Sequence, residues 1–186
     1  MSTGGMRPIA DTAGQQLIWA QPSPTIREHE LRAGEALVAT LSFERGTLAN
    51  AEADAGSWTF KREGFWHPHV TVRVPGDETN IAVFRARTGG AGELVFSDGH
   101  VFRLASTNPM HSEWVWQQED QLLVRFQGRR GVIKASGTVD VEPAAVALPE
   151  LALLVVLGWY LILLHAQDAV TAANGAIVAS RVAVIR

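Results

Sequence analysis

Leu151-Ala-Leu-Leu-Val-Val-Leu-Gly-Trp-Tyr-Leu-Ile-Leu-Leu164 is a run of fourteen residues without a single charge. What surrounds that run decides the fold. It is apolar on every side, so it cannot rest on a surface by one face and must be enclosed, either by lipid or by protein. A membrane-spanning helix needs about 20 predominantly apolar residues, whereas runs of about 10–14 are more often core helices. Pro149-Glu150 opens the segment well, with proline at the first turn and an acid at the positive end of the dipole. The pattern predicts a helix over 149–166. The nearest basic residues, Lys134 and Arg181, lie farther from the run than Glu142, Glu150 and Asp168. The Lys/Arg asymmetry that orients membrane segments is therefore missing. These features favour enclosure by protein. The alternative is a membrane-anchored β domain with 148–166 as a transmembrane helix.

Upstream, from Gln15 to Val141, the pattern is short and period-two with turn residues between runs. Expected strands are Leu17 to Ala20, Ala36 to Phe43, Thr47 to Ala55, Ser57 to Arg62, His69 to Val74 and Asn80 to Ala86. The series continues with Glu93 to Phe96, Val101 to Leu104, Glu113 to Gln117, Gln121 to Gln127 and Gly131 to Val141. Ser97-Asp98-Gly99 is a tight hairpin signal, because glycine accepts positive φ without steric cost. About eleven or twelve short strands at this spacing indicate an all-β barrel or sandwich. A closed antiparallel barrel of about 12 strands encloses enough space for one helix, so the two parts of the sequence fit each other. The expected organisation is a loose tail over 1–14, a barrel domain over 15–168 with a central hydrophobic C-terminal helix, and an extension over 169–186. Asn174-Gly175 and the stretch from Ile177 to Ile185 suggest a break followed by an added strand or a partner-bound segment.

The chain has 186 residues, a formal net charge of −3 and no cysteine. Without cysteine there are no disulfides, thiolate metal sites or cysteine nucleophiles. The slightly acidic balance gives no field that would draw nucleic acid, and no nucleic-acid partner is expected. Met1-Ser-Thr-Gly-Gly-Met-Arg7 has no apolar signal-peptide core, so a cytoplasmic protein is expected. There is no G-x-S-x-G, P-loop or G-x-G-x-x-G motif. Ser57, His67 and Asp54 make a catalytic triad only on paper. The expectation is a protein that is not an enzyme and has no cofactor.

Four local features carry candidate chemistry. Arg125, Arg129, Arg130 and Lys134 form a basic hairpin, and Arg85 and Arg87 a smaller basic pair before Thr88-Gly89-Gly90. Arginine's forked donors suit phosphate, so these six are the candidate ligand-binding residues for an anionic headgroup. His67-Pro68-His69 places two histidines on one strand face, but a zinc site wants three or four ligands and no third is near in sequence. Trp58, Phe60, Phe65, Trp66, Trp114 and Trp116 recur at or near alternating spacing and read as core aromatics.

A long series of short strands, the stretch Gly56-Ser-Trp-Thr-Phe-Lys-Arg-Glu-Gly-Phe-Trp66 and the apolar helix from Pro149 to Leu164 together resemble the tubby-like superfamily. That group includes the tubby C-terminal domain, the LURP-one-related proteins and the phospholipid scramblases. The resemblance is one of organisation and covers about Gln15 to Ala166. It implies a twelve-stranded barrel with the C-terminal helix through its middle. It also implies a non-catalytic binding module for anionic phospholipid headgroups, peripheral to a membrane surface. No superfamily binding motif matches residue by residue, and the scramblase calcium segment and palmitoylated cysteines have no counterpart.

Overall fold

The computed structural model of the chain describes residues 5–23, 25, 27–129 and 136–183, and their side chains except at 129 and 176–183. Twelve strands come first: β1 (Leu17–Ala20), β2 (Glu28–Ala33), β3 (Ala36–Arg45), β4 (Leu48–Ala53), β5 (Gly56–Glu63) and β6 (His69–Arg73). They continue as β7 (Asn80–Ala86), β8 (Gly92–Phe96), β9 (Val101–Ser106), β10 (Glu113–Gln118), β11 (Gln121–Arg129) and β12 (Ser136–Val141). One long helix follows, α1 (Leu151–Ala183). Each strand pairs antiparallel with its sequence neighbours, and β1 closes on β12 with Leu17 opposite Val139 and Trp19 opposite Gly137. The sheet is a closed barrel without edges, which removes the unpaired strands that invite aggregation.

The strand series matches the sequence pattern closely except at β2. Glu28-His-Glu-Leu-Arg-Ala33 buries His29, Leu31 and Ala33 and turns Glu28, Glu30 and Arg32 outward. An inward histidine between two acids hides the alternation that would mark a strand.

α1 enters the barrel beside Glu150 and fills it. Leu151 to Leu161 are all buried, and Leu164 is buried one turn later. Two hydrogen bonds and a ring stack are among the contacts that bind helix to wall. Trp116 Nε1 donates to the Leu154 carbonyl at 2.8 Å, and the Tyr160 hydroxyl donates to the Thr47 carbonyl at 2.6 Å. Trp159 stacks on Trp19 with ring centroids 5.9 Å apart and planes inclined by 2°. Burial of the phenol pushes the Tyr160 hydroxyl's pKa upward.

Small residues make the room. The inward positions of β4 are Ala49, Ala51 and Ala53. A Cβ at Gly158 would overlap the Phe126 ring and lie 2.7 Å from Trp116 Nε1. A Cβ at Gly137 would lie 2.7 Å from Trp159 Cζ3. At these two glycines an aromatic ring of the facing element packs directly on the backbone.

The helix does not stop near Ala166. It runs on to Ala183, and residues 166–175 are exposed outside the barrel. The segment after Asn174 is therefore helix through Ala183, with no added strand. No proline interrupts it, and alanine recurs at 166, 169, 172, 173, 176, 179 and 183. Those residues favour helix strongly enough to carry the chain past Gly175.

Candidate functional site

Strand direction alternates around the barrel, so every connection from an odd to the next even strand lies at one end. That end is where α1 emerges. The even-to-odd connections lie at the opposite end, where α1 enters and where His100 Nε2 sits 3.4 Å from Glu150 Oε1. The interior is occupied by the protein's own helix. Binding chemistry is left to the rims and the outer face.

At the exit rim a cleft of about 200 Å³ opens between α1 and the β5–β6 and β7–β8 connections. Val70, Phe84, Leu161 and Leu164 form its apolar floor, and Arg62, His69, Arg87, His165 and Asp168 supply its polar groups. Arg62 has the same parity as the buried Trp58 and Phe60, so at the end of β5 it turns toward the helix. There it forms an ion pair with Asp168 at 2.6 Å. Arg87 follows β7 and contacts Glu93 at 3.2 Å, an acid it shares with Arg103. His69 Nδ1 lies 3.2 Å from the His67 carbonyl across a tight turn.

His165 is the last barrel-facing residue of α1. Its ring sits 4.8 Å from that of His111 and 5.2 Å from Trp114, centroid to centroid. Burial holds its pKa below the usual histidine range, His111 pushes the same way, and Asp168 opposes both. His111 has a positive φ of 50°, uncommon for a residue with a side chain, which aims its ring over the helix exit. The rim thus sets two arginines and two histidines around one half-apolar cleft, with His111 packed against His165 and Asp168 already committed to Arg62.

The structure sorts the residues expected from sequence. Arg87 and His69 line the cleft together. Arg85 lies on the outer barrel face, in register with His69 and Glu93, and is exposed. Arg125 is tied at 3.0 Å to Glu113, whose pKa is held down first by the hydrogen bond from Thr107 and then by Arg125. Arg129 ends β11 at the exit rim, opposite Ser136. Arg130 and Lys134 lie outside the described residues. His67 is exposed on the same rim, and no group of three metal-capable side chains occurs among the described residues. Ser57 and Asp54 are at the entry end of β5 and His67 is beyond its exit end, so these three are not brought together.

No protein-family model, curated protein or solved structure matches the chain. The closed twelve-strand barrel with its apolar C-terminal helix packed inside is established by the chain's own geometry.

Sequence reasoning missed Arg62, His165 and Asp168. The signal for Arg62 was its inward parity after Trp58 and Phe60. The signal for Asp168 was its place as the first acid after a long uncharged run. Phe65 and Trp66 depart from the core reading. Both are in the β5–β6 connection, 88% and 83% exposed, packed edge to face at 5.2 Å. Trp58, Phe60, Trp114 and Trp116 are buried, as alternation indicates.

Proposed function

We propose that this chain is a non-catalytic binding module whose exit-rim cleft takes the phosphate of an anionic lipid headgroup. The observation that carries the reading is the cleft itself: Arg62, Arg87, His69 and His165 converge on a half-apolar recess beside the emerging helix. Forked guanidinium donors suit phosphate oxygens, and an apolar floor suits the glycerol backbone behind them. The barrel with a C-terminal apolar helix inside supports the tubby-like resemblance as the finer reading of the fold. Anionic headgroup binding is the activity that resemblance implies.

Sedimentation with phosphoinositide or phosphatidylserine vesicles tests the proposal. Retention should weaken steeply with added salt, because the attraction is between charges near a surface. Arg62→Gln combined with Arg87→Gln probes the cleft. Ala at Arg125, Arg129, Arg130 and Lys134 probes the basic hairpin. Loss of binding in the first variant assigns the cleft, and loss in the second alone moves the site to the hairpin. Retention unchanged by both variants refutes headgroup binding at this end.

A further inference from the structure

The connections at the two ends of the barrel differ in charge, although the strand termini at the exit rim also carry Glu28, Glu44, Glu63, Glu93 and Glu113. Among the described residues, the exit-end connections contain no Asp or Glu and hold Arg27 and Arg87, with His67 and His111. The entry-end connections contain no Lys or Arg and hold Asp54, Asp77, Glu78, Asp98, Glu119 and Asp120 among their acids. Closing a barrel does not require such a division, since either sign serves equally well in a solvated turn. It places the acidic turns at the end where α1 enters.

Phe65 and Trp66 stand at the exit end, beside the cationic cleft. A large aromatic pair held together and exposed on a connection tip is costly in water and matches the interfacial layer of a bilayer, where tryptophan concentrates. α1 leaves the barrel through the same rim. Its first carboxylate there, Asp168, is neutralised by Arg62, and the next charge along the helix is Arg181. Between them Ala169 to Ser180 is uncharged. Twelve residues rise about 18 Å, too short to cross a bilayer but able to enter it, because a helix satisfies its own backbone hydrogen bonds.

We infer that the exit rim is a membrane-docking face: an anionic bilayer meets the barrel end-on, with Phe65 and Trp66 at the headgroup level and the uncharged stretch of α1 entering the same leaflet. The inference rests on the headgroup reading of the cleft and deepens it by fixing the orientation of the barrel. The acidic entry end points away from the membrane, as repulsion from anionic lipid requires.

Trp66 provides its own probe. Trp19, Trp58, Trp114, Trp116 and Trp159 are all buried, so a quencher in the bilayer reaches Trp66 first. On phosphatidylcholine vesicles containing phosphatidylserine, brominated acyl chains should quench the full-length protein's fluorescence. Trp66→Phe should abolish the quenching while vesicle binding persists. Phe65→Ala with Trp66→Ala should weaken vesicle binding roughly tenfold or more, from the apolar area withdrawn from water. The same double variant should bind a soluble glycerophosphoinositol phosphate as the parent does. Vesicle binding with Trp66 unquenched overturns the docking face and leaves the headgroup reading standing. Binding of the soluble headgroup without vesicle binding does the same. Binding of neither overturns the headgroup reading itself.

Discussion

Gly158→Ala separates a helix threaded through the barrel from one that is not. In a solvated helix interior the change from glycine to alanine is stabilising by about 1 kcal/mol, since glycine loses the most backbone entropy on folding. At Gly158 the added Cβ would overlap the Phe126 ring and sit 2.7 Å from Trp116 Nε1. That nitrogen donates to the Leu154 carbonyl, one turn earlier on the helix. Relief of the overlap has to move one of two large rings in a filled interior, at about 1–3 kcal/mol for overpacking. If Trp116 is the ring that moves, a buried N–H is left without its acceptor, for a further 1–3 kcal/mol or so. Set against the propensity gain, the net expectation is destabilisation by about 0–2 kcal/mol if Phe126 moves and about 1–5 kcal/mol if Trp116 does. Gly175→Ala is the internal control, since it lies in the same helix, exposed, with nothing within 4 Å of the added carbon. That variant should be stabilised or unchanged. Urea denaturation of both proteins in detergent-free buffer gives the comparison. If Gly158→Ala is as stable as Gly175→Ala, or more stable than the parent, the helix does not pass the barrel wall at this distance and the central packing is wrong.

Acid should weaken the fold through His29. Burial pushes this imidazole down from 6.5 to about 4, so between those values the unfolded chain binds a proton that the folded chain does not. Stability is therefore complete above 6.5 and is lost as pH falls toward 4, by about 3 kcal/mol at 1.36 kcal/mol per unit. Urea midpoints at pH 7 and 4.5 should fall less in His29→Leu than in the parent; equal falls refute the assignment. Tyr160→Phe removes the donor to the Thr47 carbonyl and should cost about 1–2 kcal/mol in thermal or urea denaturation. A cost near zero would mean that water reaches that carbonyl. At the cleft, His165 gains a favourable neighbour when an anion binds, so binding should take up a proton and tighten as pH falls through the acid side of the usual histidine range. Vesicle affinity measured across that range should flatten in His165→Gln, and an unchanged slope would remove His165 from the site.

Much of the architecture was legible because strand periodicity and the apolar helix are local signals. Val70 and Val72 turn inward on β6, and Trp58 and Phe60 on β5, as alternation requires. β2 escaped because its inward His29 is polar and its outward residues are charged, so hydrophobicity does not alternate there. The helix end escaped for a different reason. The apolar run ends at Leu164 and polar residues follow, yet a helix already nucleated inside the barrel needs only one favourable residue per step to continue, and alanine supplies them. The site was legible only in pieces. Arg87 and His69 were visible as separate features eighteen residues apart; β6 and β7 pair His69 with Arg85, and Arg87, two residues on, reaches the same cleft. Arg62, His165 and Asp168 come from distant parts of the chain, and only closure of the barrel around α1 brings them together. Phe65 and Trp66 have a composition that signals core, but their connection places them beyond the end of the wall.

The enclosure of Leu151 to Leu161 also constrains where this protein can work. A barrel of this size with an empty interior would offer a ligand cavity, and the mouth would be its entrance. Here Trp19, Trp116, Trp159 and Tyr160 fill that space against the helix, so the interior serves stability alone. What remains is the outer face and two rims, and the rims are not equivalent. The entry rim carries acids and is crossed by the 142–150 segment that leads into α1. The exit rim carries arginines, histidines and two exposed aromatics, and it is interrupted by a helix that leaves without added charge. A single apolar helix thereby does two things in sequence. Its first half closes the core, and by doing so it fixes at which rim the second half emerges, and with which cationic side chains beside it. That coupling makes the packing of Gly158 and the chemistry of the exit rim one question: a substitution that loosens the helix in the barrel should disturb the cleft between Arg62 and His165 before it unfolds the wall.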